Sequence, residues 1–178
     1  MALIQIDQSG KWESGQPTAI GASVGGKPRG ALIRPAEKDR INRILGGFEQ
    51  EKNRSKKRKA SRMFTYAVFL AIREVMREKD ILEIDVEYQG QDDSIRGLLL
   101  HLFERHADLM LEWHQIQFGH VGRTTLAHAV AHQTFAGSRK PDLELKFDDF
   151  FRILDRTEEI RKRALKQRMK RKWQGNSL

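Results

Sequence analysis

Asp7, Asp85 and Glu87 are the side chains of this sequence best suited to metal chemistry. Asp7 closes an apolar run in the form IDQSG, and Asp85 and Glu87 stand two apart in ILEIDVEY. Carboxylates are hard oxygen ligands of the kind Mg²⁺ prefers. Two such ions about 3.5–4 Å apart stabilise both the attacking and the leaving oxygen when a phosphodiester is hydrolysed. Residues two apart on a strand point to one face, so Asp85 and Glu87 could serve the same ion. The plainer readings are that Asp7 caps the amides of Ser9 or Gly10 in a turn, and that Glu87 pairs with a Lys or Arg.

Other motifs do not survive inspection. Gly21 to Lys27 spells G-x-x-x-x-G-K, but Pro28 stands where a phosphate loop needs Ser or Thr, and the segment leads into a strand instead of a helix. A hairpin turn accounts for it. His128 and His132 share a helix face, yet Ala129 replaces the Glu of H-E-x-x-H and no third zinc ligand has a supporting spacing. His101 and His106 are read as solvent-facing. Ser9 lacks the nucleophile elbow of a serine hydrolase. There is no cysteine, which excludes disulfides, thiolate zinc sites, iron–sulfur clusters and cysteine nucleophiles.

Charge supplies the second functional signal. The 178 residues carry 33 Lys and Arg against 24 Asp and Glu, a formal charge of +9, which favours a polyanionic partner. The excess is concentrated in two stretches. Lys52, Arg54, Lys56, Lys57, Arg58, Lys59 and Arg62 form one; Arg161 to Lys172 form the other, with Trp173 beyond it. Of these, Lys56, Lys57, Arg58, Lys59, Arg161, Arg163, Lys166 and Lys170 are the residues expected to neutralise backbone phosphates, a sequence-independent and salt-sensitive mode of binding. Trp173 could stack on an unpaired base. The bland reading of the second stretch is a solvated cationic tail.

The elements that must position these groups follow from periodicity. Leu3–Asp7, Thr18–Val24 and Gly30–Ile33 read as three strands of an antiparallel meander. Pro35 ends the sheet section, a short helix spans Ala36–Leu45 and stops at Gly46-Gly47, and Glu51–Arg62 reads as a solvated loop or helix start. Phe64, Val68, Phe69, Ile72, Val75 and Met76 form the stripe of a helix packed on a sheet. Ile81–Tyr88 is a fourth strand. Asp92, Asp93 and Ser94 offer caps for a helix buried through Ile95, Leu98, Leu99, Leu102 and Phe103, and Leu109–Phe118 alternates as a last strand. Thr124 or Thr125 caps a helix to about Phe135, whose Ala127, Ala129 and Ala131 allow close approach to the sheet. Gly137–Pro141 reads as a linker, and Asp148–Trp173 as a final helix that turns basic. This predicts an α/β three-layer mixed sheet in the order β-β-β-α-β-α-β-α, residues 1–137, followed by 138–178 as linker and appended basic C-terminal helix.

That order, with one acid closing the first strand in IDQSG and others in the fourth in IDVEY, resembles the RNase H-like superfamily of ribonucleases H, RuvC-like resolvases and transposases. The resemblance covers roughly residues 1 to 136. It implies that Asp7, Asp85 and Glu87 hold Mg²⁺ or Mn²⁺ at neighbouring central strands and that a further ligand, usually acidic, stands on the helix after the fifth strand. Gly122–Ser138 contains no carboxylate, and the matching position in TTLAHAVAH is His128, which would act as ligand or general base; its plainer role is a satisfied histidine between helix and sheet. Asp142, Glu144, Asp148 or Asp149 could fold back to replace the missing acid.

The expectation is thus a metal-dependent nuclease acting on DNA or RNA, with a catalytically inactive nucleic-acid-binding scaffold of the same fold as the alternative and a partner-protein adaptor as a third class. A homodimer would suit a two-fold junction substrate. The longest apolar run, Ala67–Ile72, is far short of the roughly 18–20 residues a membrane helix needs, and MALIQIDQSG lacks the features of a signal peptide. A soluble cytoplasmic protein with no membrane partner is expected.

Overall fold

The computed structural model describes residues 1–48 and 56–154. Three strands open the chain, β1 (Leu3–Ser9), β2 (Thr18–Val24) and β3 (Lys27–Ile33), each antiparallel to the next. Gly25 and Gly26, with φ of +56° and +81°, make the two-residue β2–β3 turn; two successive left-handed residues are what such a hairpin requires. The G-x-x-x-x-G-K string is therefore a hairpin. Helices α1 (Pro35–Phe48) and α2 (Lys56–Ile72) lead to β4 (Ile81–Asp85). Then come α3 (Asp92–His106), β5 (Ile116–Gly119), α4 (Leu126–Ala136) and β6 (Leu143–Glu144). A further helix begins at 147 and is described to 154.

The strands form one mixed sheet in the order β5-β4-β1-β2-β3-β6. β4 runs parallel to β1, β5 parallel to β4, and β6 parallel to β3. Strand parity separates the two faces. Ile4, Ile6, Ile20 and Ala22 enter one apolar core with α2 and α3. Asp7 and Gly21, a registered pair of opposite parity, face α4, which lies across β1, β2 and β3. The result is an α/β fold with helices on both faces of the sheet.

α2 departs from the expected stripe. From Met63 to Ile72 every residue is buried, including Thr65, whose hydroxyl donates to the Ser61 carbonyl at 2.8 Å. A helix buried on all sides is apolar on all sides, and MFTYAVFLAI fits that better than an amphipathic pattern. Each large side chain so buried contributes about 1.5–3 kcal/mol, making α2 the main pillar of the core.

Several boundaries differ from the sequence reading. Of the two readings of the basic stretch, the helix start holds for residues 56–62, which form the first turns of α2. Gly46 and Gly47 do not stop α1, which runs to Phe48. β4 ends at Asp85, three residues early, because the chain turns there: Glu87 N–H donates to the Asp85 carbonyl at 2.9 Å. The fifth strand is Ile116–Gly119, not Leu109–Phe118; Trp113–Gln115 form a 3₁₀ turn in which Glu112 and Gln115 cap each other. Alternation in LMLEWHQ thus reflects a turn lying on the surface, with Met110 and Trp113 exposed. His106 packs its ring 6.1 Å from Phe69, and both it and His101 are half-buried, not solvent-facing. Gln91, not Asp92 to Ser94, is the residue preceding α3, and it makes no side-chain cap.

Both helices read between the third and fourth strands are present as α1 and α2, although the compressed order counted them as one, and the element gained is β6, after the predicted linker. Beyond β6, Leu145, Phe147, Phe150, Ile153 and Leu154 join the same core as the sheet and α2. Arg161, Arg163, Lys166 and Lys170 lie outside the described residues. No helix among the described residues is long and apolar enough to cross a membrane.

Candidate metal centre

Asp7 and Asp85 stand at the carboxyl ends of two parallel neighbours. The β1–β4 register pairs Ile6 with Ile84, so the next residue of each strand is an aspartate on the α4 face. Glu87 reaches the same point by another route. The tight turn between the Asp85 carbonyl and the Glu87 amide folds its side chain back beside Asp85, whereas strand parity was the expected cause. Tyr88 fixes that turn: its ring is buried against Phe64 at 5.4 Å, and its hydroxyl lies 3.5 Å from the side-chain amide of Gln8, next to Asp7.

Ligand atoms of Asp7, Asp85 and Glu87 consequently lie within 4.8 Å of one another. Asp7 is buried, Asp85 is half-buried, and Glu87 reaches the solvent side. Burial raises the Asp7 carboxyl above its ordinary range; His128 pulls it down and Asp85 pushes it further up. Glu87 is raised as well, by desolvation first and then by the charges of Asp7 and Asp85. Like charges held this close resist ionisation unless a cation joins them. The donor set fits a divalent ion: three carboxylates, no sulfur, and a partly desolvated setting. One oxygen of Asp85 is already committed, accepting the Val121 amide at 2.9 Å, which leaves the other for an ion.

His128 is brought in by helix α4. Thr125 caps the helix, its hydroxyl accepting the His128 amide at 3.3 Å. The expected small residues then do what close packing needs: a Cβ at Gly21 would sit 2.2 Å from the Ala127 carbonyl oxygen and 2.4 Å from the Ala131 nitrogen. With no side chain on Gly21, α4 lies directly on β2, and His128 Nδ1 comes 3.0 Å from Asp7 Oδ2. The imidazole is thus engaged with the carboxylate; the three-residue cluster of metal reach does not include it. His132 stacks on it with ring centroids 6.4 Å apart and is exposed.

Three of the four acids considered as replacements are occupied elsewhere, and the fourth, Asp148, is exposed. Asp142 accepts the Gly30 amide at 2.7 Å and pairs with Arg139 at 2.9 Å. Glu144 pairs with Arg34, and Asp149 accepts the Lys146 amide at 2.9 Å. Among the basic residues, Lys57, Arg58 and Lys59 are exposed on the first turns of α2. Phe64, further along α2, touches Tyr88 just past the end of β4, so these turns lie toward the end of the sheet that carries the acids. Lys56 starts the same helix.

Sequence reasoning missed the connection between β1 and β2. Lys38 of α1 is 2% exposed and holds this connection, and Lys11 and Glu13 within it act electrostatically on Glu87. Burial pushes the Lys38 ammonium down to about 8, against the pull of Glu13 and Asp39. The one hint in the sequence is the three-residue spacing between Lys38 and the buried Ile41, which puts a lysine on the inner face of α1. No protein-family model, curated protein or solved structure matches this chain.

Proposed function

We propose that this protein is an RNase H-like, divalent-metal-dependent nuclease that hydrolyses phosphodiester bonds in DNA or RNA. The observation that carries this reading is the convergence of three carboxylates from separate parts of the sequence at one end of two parallel strands. The strand order, a three-stranded antiparallel meander with two parallel strands added on the β1 side, supports the RNase H-like assignment. The exposed basic turns of α2 support a nucleic-acid substrate.

Asp7, Asp85 and Glu87 would hold Mg²⁺ or Mn²⁺, which when bound supplies charge stabilisation at the attacking and leaving oxygens. Asp7 accepts a hydrogen bond from His128, which sets the imidazole tautomer with the proton on Nδ1 and leaves Nε2 as the basic atom. His128 Nε2 then takes the proton from the attacking water as general base. Val121 N–H holds one Asp85 oxygen and so orients the other toward the cluster. The basic residues hold the substrate backbone, with Lys56 to Lys59 on α2 and Arg161, Arg163, Lys166 and Lys170 in the C-terminal stretch.

The test is cleavage of DNA, RNA, hybrid and four-way-junction substrates in Mn²⁺, with Asp7→Asn as control. Metal-dependent cutting lost in the variant supports the reading. All substrates uncut by wild type, with no Mn²⁺ bound in calorimetry, overturns it. One observation favours the alternative, a nucleic-acid-binding scaffold without catalysis: α4 carries no carboxylate. That outcome would appear as salt-sensitive binding indifferent to metal.

A further inference from the structure

The connection from β5 to α4, residues 120–125, is tied at both ends to the acidic cluster. It leaves β5 at Gly119, the register partner of Asp85, and the buried Val121 then donates its amide to Asp85 Oδ1 at 2.9 Å. At the far end Thr125 caps α4, whose His128 Nδ1 stands 3.0 Å from Asp7 Oδ2. Between these ties the Thr125 amide donates to the Gly122 carbonyl at 2.9 Å. That bond closes a four-residue turn with Arg123 and Thr124 at its two corners.

Gly122, Arg123 and Thr124 are all exposed, and a Cβ added at Gly122 would meet no atom within 4 Å. The turn therefore faces open space. Arg123 is two residues from Val121, so its backbone lies within about 7 Å of the tie to Asp85, a gap that a long arginine side chain spans. Arg29, Arg34, Arg96 and Arg139 each pair with a carboxylate. Arg123 stands on a turn tied to Asp85, yet among the described residues its side chain has no ion-pair or hydrogen-bond partner. A guanidinium presents a planar fork that fits two oxygens of a phosphate. A divalent ion held by the three acids would offset their charge and draw a phosphate to the same rim.

We propose that Arg123 is a substrate-binding residue whose guanidinium grips, through two oxygens, the backbone phosphate drawn to the metal-loaded acidic cluster. This rests on the nuclease reading above and names a contact of the same site. The bonds of Val121 and Thr125 hold the turn in place, and Arg123 supplies the charge.

The experiment measures the affinity of the full chain for fluorescein-labelled single-stranded DNA and RNA by stopped-flow anisotropy, read before cleavage, in saturating Mn²⁺ and in chelator. Wild type is compared with Arg123→Gln and Arg123→Lys. In Mn²⁺, Arg123→Gln should weaken binding about ten- to a hundredfold, the range of a hydrogen bond to a charged group. It should also flatten the slope of log affinity against log salt by about 0.7, the value of one phosphate contact on a single strand. Arg123→Lys should recover the slope and only part of the affinity, because an ammonium keeps the charge and lacks the fork. In chelator the bare carboxylates repel a phosphate, so Arg123→Gln should leave affinity nearly unchanged. Equal weakening with and without Mn²⁺ overturns the proposal, as does full recovery of affinity by Arg123→Lys. A wild type that binds no Mn²⁺ in calorimetry overturns the nuclease reading and this inference with it, whereas Mn²⁺-dependent nucleic-acid binding indifferent to Arg123 sinks this inference alone.

Discussion

Asp7 Oδ2 and His128 Nδ1 lie 3.0 Å apart although 121 positions separate them in the chain. The contact exists because a glycine on β2 lets α4 lie directly on the sheet, and it joins the most buried acid of the cluster to the one histidine that α4 holds over it.

Asp7→Asn should stabilise the metal-free protein. Burial and Asp85 hold the Asp7 carboxyl above its ordinary value, so the folded state keeps this proton more tightly than the unfolded chain does. The contribution favours folding at low pH and is lost as pH rises through the raised range; at neutral pH the ionised group costs stability. Removing the charge should raise the melting temperature in chelator by about 2–4 °C, the shift of about 1 kcal/mol for a chain of this size. Saturating Mn²⁺ should raise the wild type and leave the variant unmoved. A variant that melts lower in chelator would make Asp7 an ordinary structural residue.

Mn²⁺ affinity should fall as pH is lowered from 7 toward 5. Asp7 and Glu87 are both shifted upward, so protons compete for them above the ordinary carboxylate range of about 3.9–4.3. Calorimetry in buffers of different ionisation enthalpy should detect proton release on binding at the lower end. Affinity flat across this window would contradict the crowded-acid description.

His128→Ala should separate base from ligand. With the imidazole on Asp7 and outside the three-carboxylate cluster, the variant should still fill with Mn²⁺ at saturating concentration, while cleavage drops about 10²–10⁴-fold, the usual contribution of a general base. Loss of metal binding itself would make His128 a ligand.

Gly21→Ala should loosen the site from a distance. The added Cβ would meet α4 backbone at 2.2 and 2.4 Å, and helix backbone cannot yield as a side chain tip can. We expect a loss of about 1–3 kcal/mol, the cost of overpacking, read as a lower urea midpoint. Activity should fall beyond what the remaining folded fraction explains, since α4 carries His128 away from Asp7. Unchanged stability would mean that α4 does not rest on β2 as described.

Much of the framework was legible in the residues themselves. Three early strands with turn residues between them, the N-cap at Thr125, the small Ala127 and Ala131 of α4 and the dipeptide Gly25-Gly26 all act through local backbone chemistry. Such chemistry is written in short windows. The identity of the acids was legible too, because a carboxylate at the end of an apolar strand has few reasons to be there.

Tertiary structure alone decided the remainder. That Asp7 and Asp85 become neighbours depends on β4 inserting beside β1, a pairing between segments 78 residues apart in register. Glu87 joins them through a turn that replaces the last part of the expected strand, a choice set by Tyr88 finding Phe64 and Gln8. Lys38 looked like any helix lysine, yet three carbonyls and a hydroxyl from a distant loop surround it. Periodicity records which way a side chain faces; the partners that await it there come from other parts of the chain, and only packing brings them together.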